Sequence, residues 1–490
     1  MSILRQVMKS SGFMVAGSLF QKVAGLLSTL ILARILTPDD FGIVAFLALT
    51  VNFFNAIAIT GTQQYLLSKS EVDENDLNTA LSLDLLMKGT FWLLLLFFSE
   101  NISLYFNMPE AQFALIVLSS VLIIKALKNL GFLMHQKELN YAVLFKLELT
   151  AKVVSVTTVI LLGIYTESYW AIVIGDIVLA TFVTVGSYLL HGHRPTLTLV
   201  NIKPQWNFSK WMFSKGIIGF SKANLDQMFV TKMFPTSTVG SFYMARDIAL
   251  LPAFDLLNKA VAPLLPALAK SANEPDHFAY RVSFSLLFIN LLAIPVGVFM
   301  YTYSSNIISI LLGEKWLHIE PIFLSFIPLM YLSCLAPVLV HALVAKQKVK
   351  ITFWTDVIAL LMHVVPFLVI TTITLSTVVT IRTTALIVSL TILAVALKQL
   401  CNLSITRVYL LSIPSMAASV LAAMASNAYG ETNGSIFSFI ISASIFGLIF
   451  LVSFSLIVVL FKKTTEYNDL AKLVKPIISK LPIPNRKNST

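Results

Sequence analysis

The side chains in this 490-residue chain that could do chemistry are charges and amides embedded in long apolar runs. Within residues 13–35, Ser18, Gln21, Lys22, Gly25, Ser28 and Thr29 recur at helical spacing. Such a stripe covers about a third of a helix circumference and is too polar to face lipid. Within residues 210–233, Lys215, Gly219, Lys222 and Asp226 share one side of a helical wheel. A charge at the bilayer centre costs about 2.5–3.5 kcal/mol on insertion scales, so these groups must meet protein or a water-filled cavity. Lys222 and Asp226 either neutralise each other against a neighbouring helix or line that cavity. Lys22 has no local carboxylate, so its counter-charge comes from another helix or from a ligand.

The next run, 237–265, carries Arg246, Asp247, Asp255 and Lys259. On a straight helix Arg246 points away from Asp255, so the four share a cavity only if Pro252 kinks the helix. Otherwise Arg246 faces the cavity and Asp255 pairs structurally with Lys259. Asn52 and Asn55, on adjacent turns of run 41–67, are counted with the cavity candidates, although helix–helix hydrogen bonding suits both better. Asp84/Lys88 and Glu148/Lys152 are i,i+4 pairs of the self-satisfied kind. Asp176 and Asp356 have no cation within a turn. They are the candidates for a carboxylate that takes up H⁺ or Na⁺, unless a place near the interface solvates them. His341 and His363 read as core histidines. The acidic connector Glu71–Asp76 lacks the ligand spacing and glycine of a calcium loop and reads as a solvated loop. Cys334 and Cys401 lie in apolar runs without a CxxC pattern, which excludes a disulfide framework. No metal and no cofactor is expected, and no catalytic residue.

The elements that must hold these side chains are membrane helices. The chain is 57% hydrophobic and only 12% charged, with a mean hydropathy of +0.84. Soluble domains are about 25% charged, so a soluble enzyme is excluded. Crossing about 30 Å of hydrocarbon takes about 20 apolar residues in a helix, and the runs lack the alternation of barrel strands. Fourteen runs qualify: 13–35, 41–67, 79–99, 112–134, 143–164, 168–190, 210–233, 237–265, 281–303, 319–344, 352–374, 378–400, 410–428 and 436–461. The expected fold class is an all-α polytopic membrane protein with about 14 transmembrane helices. One alternating set of connectors is basic, with Arg5 and Lys9, Lys69, Lys137, Arg194 and Lys203, Lys270, Lys346/Lys348/Lys350, Arg407, then Lys462 and Lys463. By the positive-inside rule both termini are cytoplasmic, which demands an even number of spans. The first run lacks a cleavage pattern and reads as a span. The net charge of +11 thus orients the chain in a membrane, and no nucleic-acid partner is expected. The longest extracytoplasmic connector, about residues 304–318, leaves no room for a catalytic domain.

Sliding the chain by 198 residues lays Ala33–Gly42 on Thr231–Gly240, and Leu67–Ser70 on Leu268–Ser271 after three inserted residues. Gln21 and Ser28 then fall on Gly219 and Asp226. Two pseudo-symmetric six-helix lobes follow, at 1–200 and 201–400, with two appended spans at 401–461 and a basic cytoplasmic tail at 462–490. Six is even, so both copies enter the membrane the same way and are related by an axis along its normal, with a substrate path expected between them. Pro252, Pro263, Pro266, Pro295, Pro321, Pro328 and Pro337 are candidate hinges. The basic tail reads as a segment attracted to anionic lipid.

The stretch Leu32–Gly42, its half-repeat Leu225–Val230 through Val239–Arg246 with Leu251-Pro252, and Pro263–Leu268 resemble the polysaccharide transporter branch of the multidrug/oligosaccharidyl-lipid/polysaccharide exporter superfamily. Its members include the repeat-unit flippases for O-antigen, colanic acid and capsule. The resemblance implies a two-lobed inner-membrane carrier that turns an undecaprenyl-diphosphate-linked oligosaccharide across the bilayer by alternating access, for lipopolysaccharide, capsule or exopolysaccharide synthesis. By position, it places the central cationic and acidic residues on Lys22, Lys222, Asp226 and Arg246. A polysaccharide polymerase and a chain-length regulator are implied as partners. The second copy has Ser237-Thr238 where the first has Asp39-Asp40, so that acidic turn is given no transport role. The rival readings are a multidrug extruder of the same superfamily, expected to have an acidic cavity and 12 spans, and a membrane glycosyltransferase or polymerase.

Overall fold

A computed structural model of the protein describes residues 3–69, 71–138, 140–258, 268, 274–370, 373–429, 436–460 and 464–470. Lys259, Pro263, Pro266, Lys270 and the tail beyond 470 lie outside the described residues. The helices are α1 (Ile3–Ile35), α2 (Pro38–Ile57), α3 (Thr62–Ser68), α4 (Glu74–Tyr105), α5 (Gln112–Ala126), α6 (Met134–Lys137), α7 (Tyr141–Thr166), α8 (Trp170–Leu189), α9 (Ile202–Met233) and α10 (Thr236–Leu251). They continue as α11 (Pro275–Thr302), α12 (Ser304–Leu311), α13 (Glu320–Ala345), α14 (Val349–Val369), α15 (Leu375–Cys401), α16 (Ile405–Tyr429) and α17 (Ile436–Leu460). Among the described residues there is no β-strand. Twelve helical stretches among them are long and apolar enough to cross a membrane, so the chain is a multi-pass, all-α membrane protein. The expected spans at 210–233 and 237–265 exist as α9 and α10 but fall outside those twelve. Lys215, Lys222, Asp226 and Lys232 make α9 too polar, and α10 is a 16-residue helix that carries Arg246 and Asp247.

Local signals explain the helix ends. Thr37 and Asp40 form a reciprocal cap at the start of α2, with Pro38 in its first turn. Asp73 and Asp76 do the same for α4. Asp76 is fully buried, pairs with Lys69 and accepts from Asn201 Nδ2 at 2.8 Å. Glu71, Asp73, Glu74 and Asn75 are exposed, as expected of a solvated loop, and Asp76 alone of the acidic connector is packed. At Pro252, α10 passes into a π-helical turn, Pro252–Leu257; a residue without an N–H breaks the regular ladder there.

Contacts divide the chain into two compact units. Unit one is Met1–Asp247, Leu311–Ile319 and His363–Val378; unit two is Ile248–Ile310, Glu320–Met362 and Val379–Thr490. These units do not coincide with the sequence halves at 200 and 400, because α9 runs along α2. Gly216 allows that approach, since a Cβ on it would collide with the carbonyl of Ala56.

In unit one, α7 packs on α1 and α8, and α5 on α4 and α8. Small residues set the spacing: a Cβ on Gly175 or Gly186 of α8 would strike Val159 or Leu147 of α7. Gly42 and Gly240, superposed by the 198-residue repeat, touch each other. A Cβ on Gly240 would lie 2.7 Å from the Gly42 nitrogen and collide with the Pro38 carbonyl, and one on Gly42 would collide with that of Thr236. The connector after α8 straps α4: the N–H groups of Thr196, Thr198 and Asn201 donate to Asn78 Oδ1, Ser82 Oγ and Thr79 Oγ1 at 3.0, 2.9 and 3.3 Å. Residues 311–319 close over the end of α1, where Trp316 Nε1 donates to Ala33 O at 2.8 Å and Lys315 Nζ to Leu36 O at 2.7 Å.

In unit two, α11 packs on α13 and α16, and α16 on α17. Asn290 ties these helices, accepting from Tyr331 Oη at 2.8 Å and donating to Ser412 Oγ at 3.0 Å. Residues 464–470 dock on the same unit through Arg407–Glu466 at 2.9 Å, Tyr280 Oη donating to Asp469 at 2.6 Å, and the buried ring of Tyr467.

Candidate functional site

A pocket of about 470 Å³ opens in unit one among α1, α5, α7 and α8. The α1 stripe supplies Ser18, Gln21 and Lys22. The end of α5 and the residues after it supply Lys125 and Lys128, α7 supplies Glu148 and Lys152, and α8 closes the wall with Leu179, Ala180, Val183 and Thr184. Four ammonium groups thus surround one carboxylate. Gln21 Nε2 donates to Glu148 Oε2 at 2.9 Å, so Glu148 is held by α1. Lys152 turns towards Gly25, where a Cβ would lie 3.6 Å from its Nζ. The expected self-satisfied Glu148/Lys152 pair is therefore replaced by contacts to α1, while Asp84/Lys88 closes as expected at 3.0 Å, with the Thr60 and Thr62 hydroxyls on Asp84. Glu148 lines the same pocket as Lys22.

Lys125 and Lys128 were not singled out by the sequence, where they look like the basic end of a span. Lys128 also lies over the Phe132 ring, 5.7 Å from its centroid. Excess positive charge in a concave, low-dielectric wall focuses the field and draws in an anion. Asp176 on α8 interacts electrostatically with Lys125 and Lys152 on one side and with Tyr243 of α10 on the other.

A second cluster is built by α9 and α10. Arg246 donates to Gln227 Oε1 at 2.6 Å and to Ala223 O at 2.8 Å, and its Nε lies 3.8 Å from the buried Asp226. Arg246 is thereby locked to α9 on three groups. Gln227, which the sequence reading passed over, reaches on to the Ala45 carbonyl of α2 at 3.5 Å. Lys222 is exposed on the same helix, and beside it Gly219 faces open space. Lys222, Asp226 and Arg246 are not among the residues that line the lysine pocket. On α2, Asn52 is exposed and Asn55 half-buried. Asp356 sits on α14 in unit two and lines neither cluster. Asp255's side chain and Lys259 lie outside what is described. Among the described residues no group of three His, Cys, Asp or Glu is placed to hold a metal ion.

The fold matches that of a solved carrier, a structure titled Lipid II flippase MurJ, inward closed conformation: the TM-score is 0.74, with 17% identity, over 93% of this chain and 99% of that one. In sequence, an uncharacterized membrane protein in the cps region of Klebsiella pneumoniae is 22% identical over 326 residues, 66% of this chain and 67% of its own. The lipopolysaccharide biosynthesis protein WzxC of Escherichia coli (strain K12) is 20% identical over 333 residues, 67% of this chain and 68% of its own. Residues 31–321, more than half of the chain, match the family described as polysaccharide biosynthesis protein, and the chain belongs to that family.

Proposed function

We propose that this protein is a flippase that turns an undecaprenyl-diphosphate-linked oligosaccharide repeat unit across the membrane by alternating access. The observation that carries the reading is the pocket in which Lys22, Lys125, Lys128 and Lys152 face a single carboxylate. A diphosphate ester is anionic at neutral pH, and ammonium groups in a water-poor wall bind it as point charges. An extruder of cationic compounds would need the opposite sign. Family membership in polysaccharide biosynthesis and the fold shared with a lipid II flippase support the same assignment. The chain is read as a carrier and not as an enzyme: its described residues form helices and short connectors, and its charged clusters sit inside a helical unit.

The exposed Lys222 and the Arg246–Asp226–Gln227 lock are read as a second contact region, with Asn52 and Asn55 nearby on α2 offering amide contacts to sugar hydroxyls. We assign ion coupling to Asp176, which faces Lys125 and Lys152: a carboxylate that takes up H⁺ or Na⁺ changes the net charge the diphosphate meets. Asp356 is the alternative coupling residue. The basic connectors support a reading with both termini cytoplasmic, in the inner membrane of a bacterium. A polymerase and a chain-length regulator would then receive the product on the far side. Deleting the gene in its host and measuring the polyprenyl-diphosphate pool by mass spectrometry, with an assay of which leaflet holds it, tests the assignment. A complete repeat unit accumulating on the cytoplasmic leaflet is the expected result; an unchanged pool with altered drug sensitivity would point to the extruder.

A further inference from the structure

We propose that unit two carries a separate binding site for an anionic membrane phospholipid, its phosphate at Lys398 and one acyl chain in the groove beneath. The site is a pocket of about 440 Å³ among α11, α13, α15 and α16, within the size range of small-ligand sites. Its walls are apolar, formed by Leu332, Leu335, Leu339, Ile387 and Val395. Its rim is polar, with Lys398, Asn402, Ser404 and Thr406. Apolar side chains facing lipid are ordinary in a membrane protein, but a charge beside them is costly and marks a site.

Lys398 is that charge. It lies in the last turn of α15, the level at which phosphates sit in the bilayer. Its side chain has no hydrogen bond or ion pair among the described residues, whereas Arg407 close by in sequence is committed to Glu466 at 2.9 Å. Asn402 turns the chain in the left-handed conformation, φ 54°, which an asparagine tolerates. The turn brings Ser404 and Thr406 back over the groove mouth. The rim therefore offers one uncommitted cation and several hydroxyl or amide groups above an apolar slot, a pattern that fits a phosphate joined to an acyl chain. A zwitterionic headgroup would bring its own cation against Lys398, so an anionic lipid is preferred. The basic connectors place this rim on the cytoplasmic side, where anionic lipids give the leaflet its negative potential. The site stands on its own geometry and does not depend on the flippase reading.

The test is native mass spectrometry of the detergent-purified full chain titrated with phosphatidylglycerol, phosphatidylcholine, inorganic phosphate and undecaprenyl phosphate. Phosphatidylglycerol is expected to bind about five- to tenfold tighter than phosphatidylcholine, and Lys398→Ala, an exposed side chain, to remove that preference. Ala394→Trp, which fills the groove, is expected to weaken both lipids, and Lys350→Ala, outside the pocket, neither. Equal binding of the two phospholipids, or no change in Lys398→Ala, would overturn the proposal. Inorganic phosphate displacing the lipid would reduce the site to a simple anion site. Undecaprenyl phosphate outcompeting phosphatidylglycerol would make it a substrate site instead.

Discussion

Lys22, Lys125, Lys128 and Lys152 line one pocket only because α1, α5 with the residues after it, and α7 bring them together, and Gln21 holds the one carboxylate among them. Replacing Lys125 or Lys128 by Ala should lower transport about tenfold, the equivalent of about 1.4 kcal/mol of lost binding, with protein level and melting temperature unchanged; complementation of surface polysaccharide in a deletion strain reads this out. Asp176→Asn should leave substrate binding in place and remove the dependence of transport on the ion gradient, measured as flipping with and without an imposed pH or Na⁺ difference, while Asp356→Asn keeps it. Gln21 and Lys22 were legible in the sequence because a polar stripe on an apolar helix cannot face lipid. Lys125 and Lys128 were not, because the end of a span is where basic residues stand in any membrane protein, and only the packing of α5 on α8 brings them to the pocket. The expected Glu148/Lys152 pair failed for a related reason. Gln21, far away in the chain, competes for the carboxylate, and no local spacing rule contains that contact.

The helices themselves were largely readable, since apolar length announces a span. The contacts between them were readable only in part. Lining up Gly42 with Gly240 by the repeat did not by itself say that the two touch, yet the backbones meet there. Gly42→Ala and Gly240→Ala should each prevent α2 and α10 from closing, with an expected loss of several kcal/mol and poor recovery of folded protein, whereas Gly219→Ala, in open space, should be tolerated; size-exclusion chromatography of the three variants compares them directly. The strap after α8 was invisible to periodicity, because an extended polar segment held by Asn78, Thr79 and Ser82 has no pattern of its own. It carries His191 and His193, whose rings are kept below the usual histidine range by burial first, with His135 and His193 adding repulsion to His191 and Arg194 to both. Their folded pKa lies under the unfolded value of about 6.5, so the stability they contribute is present above that value and is lost as pH falls below it. The melting temperature should therefore drop between pH 7 and pH 5, and the drop should be smaller in a His191→Asn/His193→Gln variant.

At the scale of the molecule, two compact units with twelve apolar spans among the described residues, and the polar helices α9 and α10, make a membrane carrier. Composition alone excluded a soluble domain. The point at which contacts divide the chain, Asp247, was not legible, because it depends on α9 packing along α2 instead of within its own sequence half. The proposed path of the lipid-linked oligosaccharide runs through the lysine-lined pocket. The most direct measurement reconstitutes the full chain in liposomes that carry a fluorescent undecaprenyl-diphosphate-linked oligosaccharide in both leaflets, and follows its accessibility to an impermeant quencher. The wild-type protein should bring the inner-leaflet pool to the quencher, and a Lys22→Ala/Lys128→Ala variant of equal stability should leave that pool protected. Quenching by the wild-type protein no greater than in empty liposomes, or equal quenching by the variant, would contradict the account.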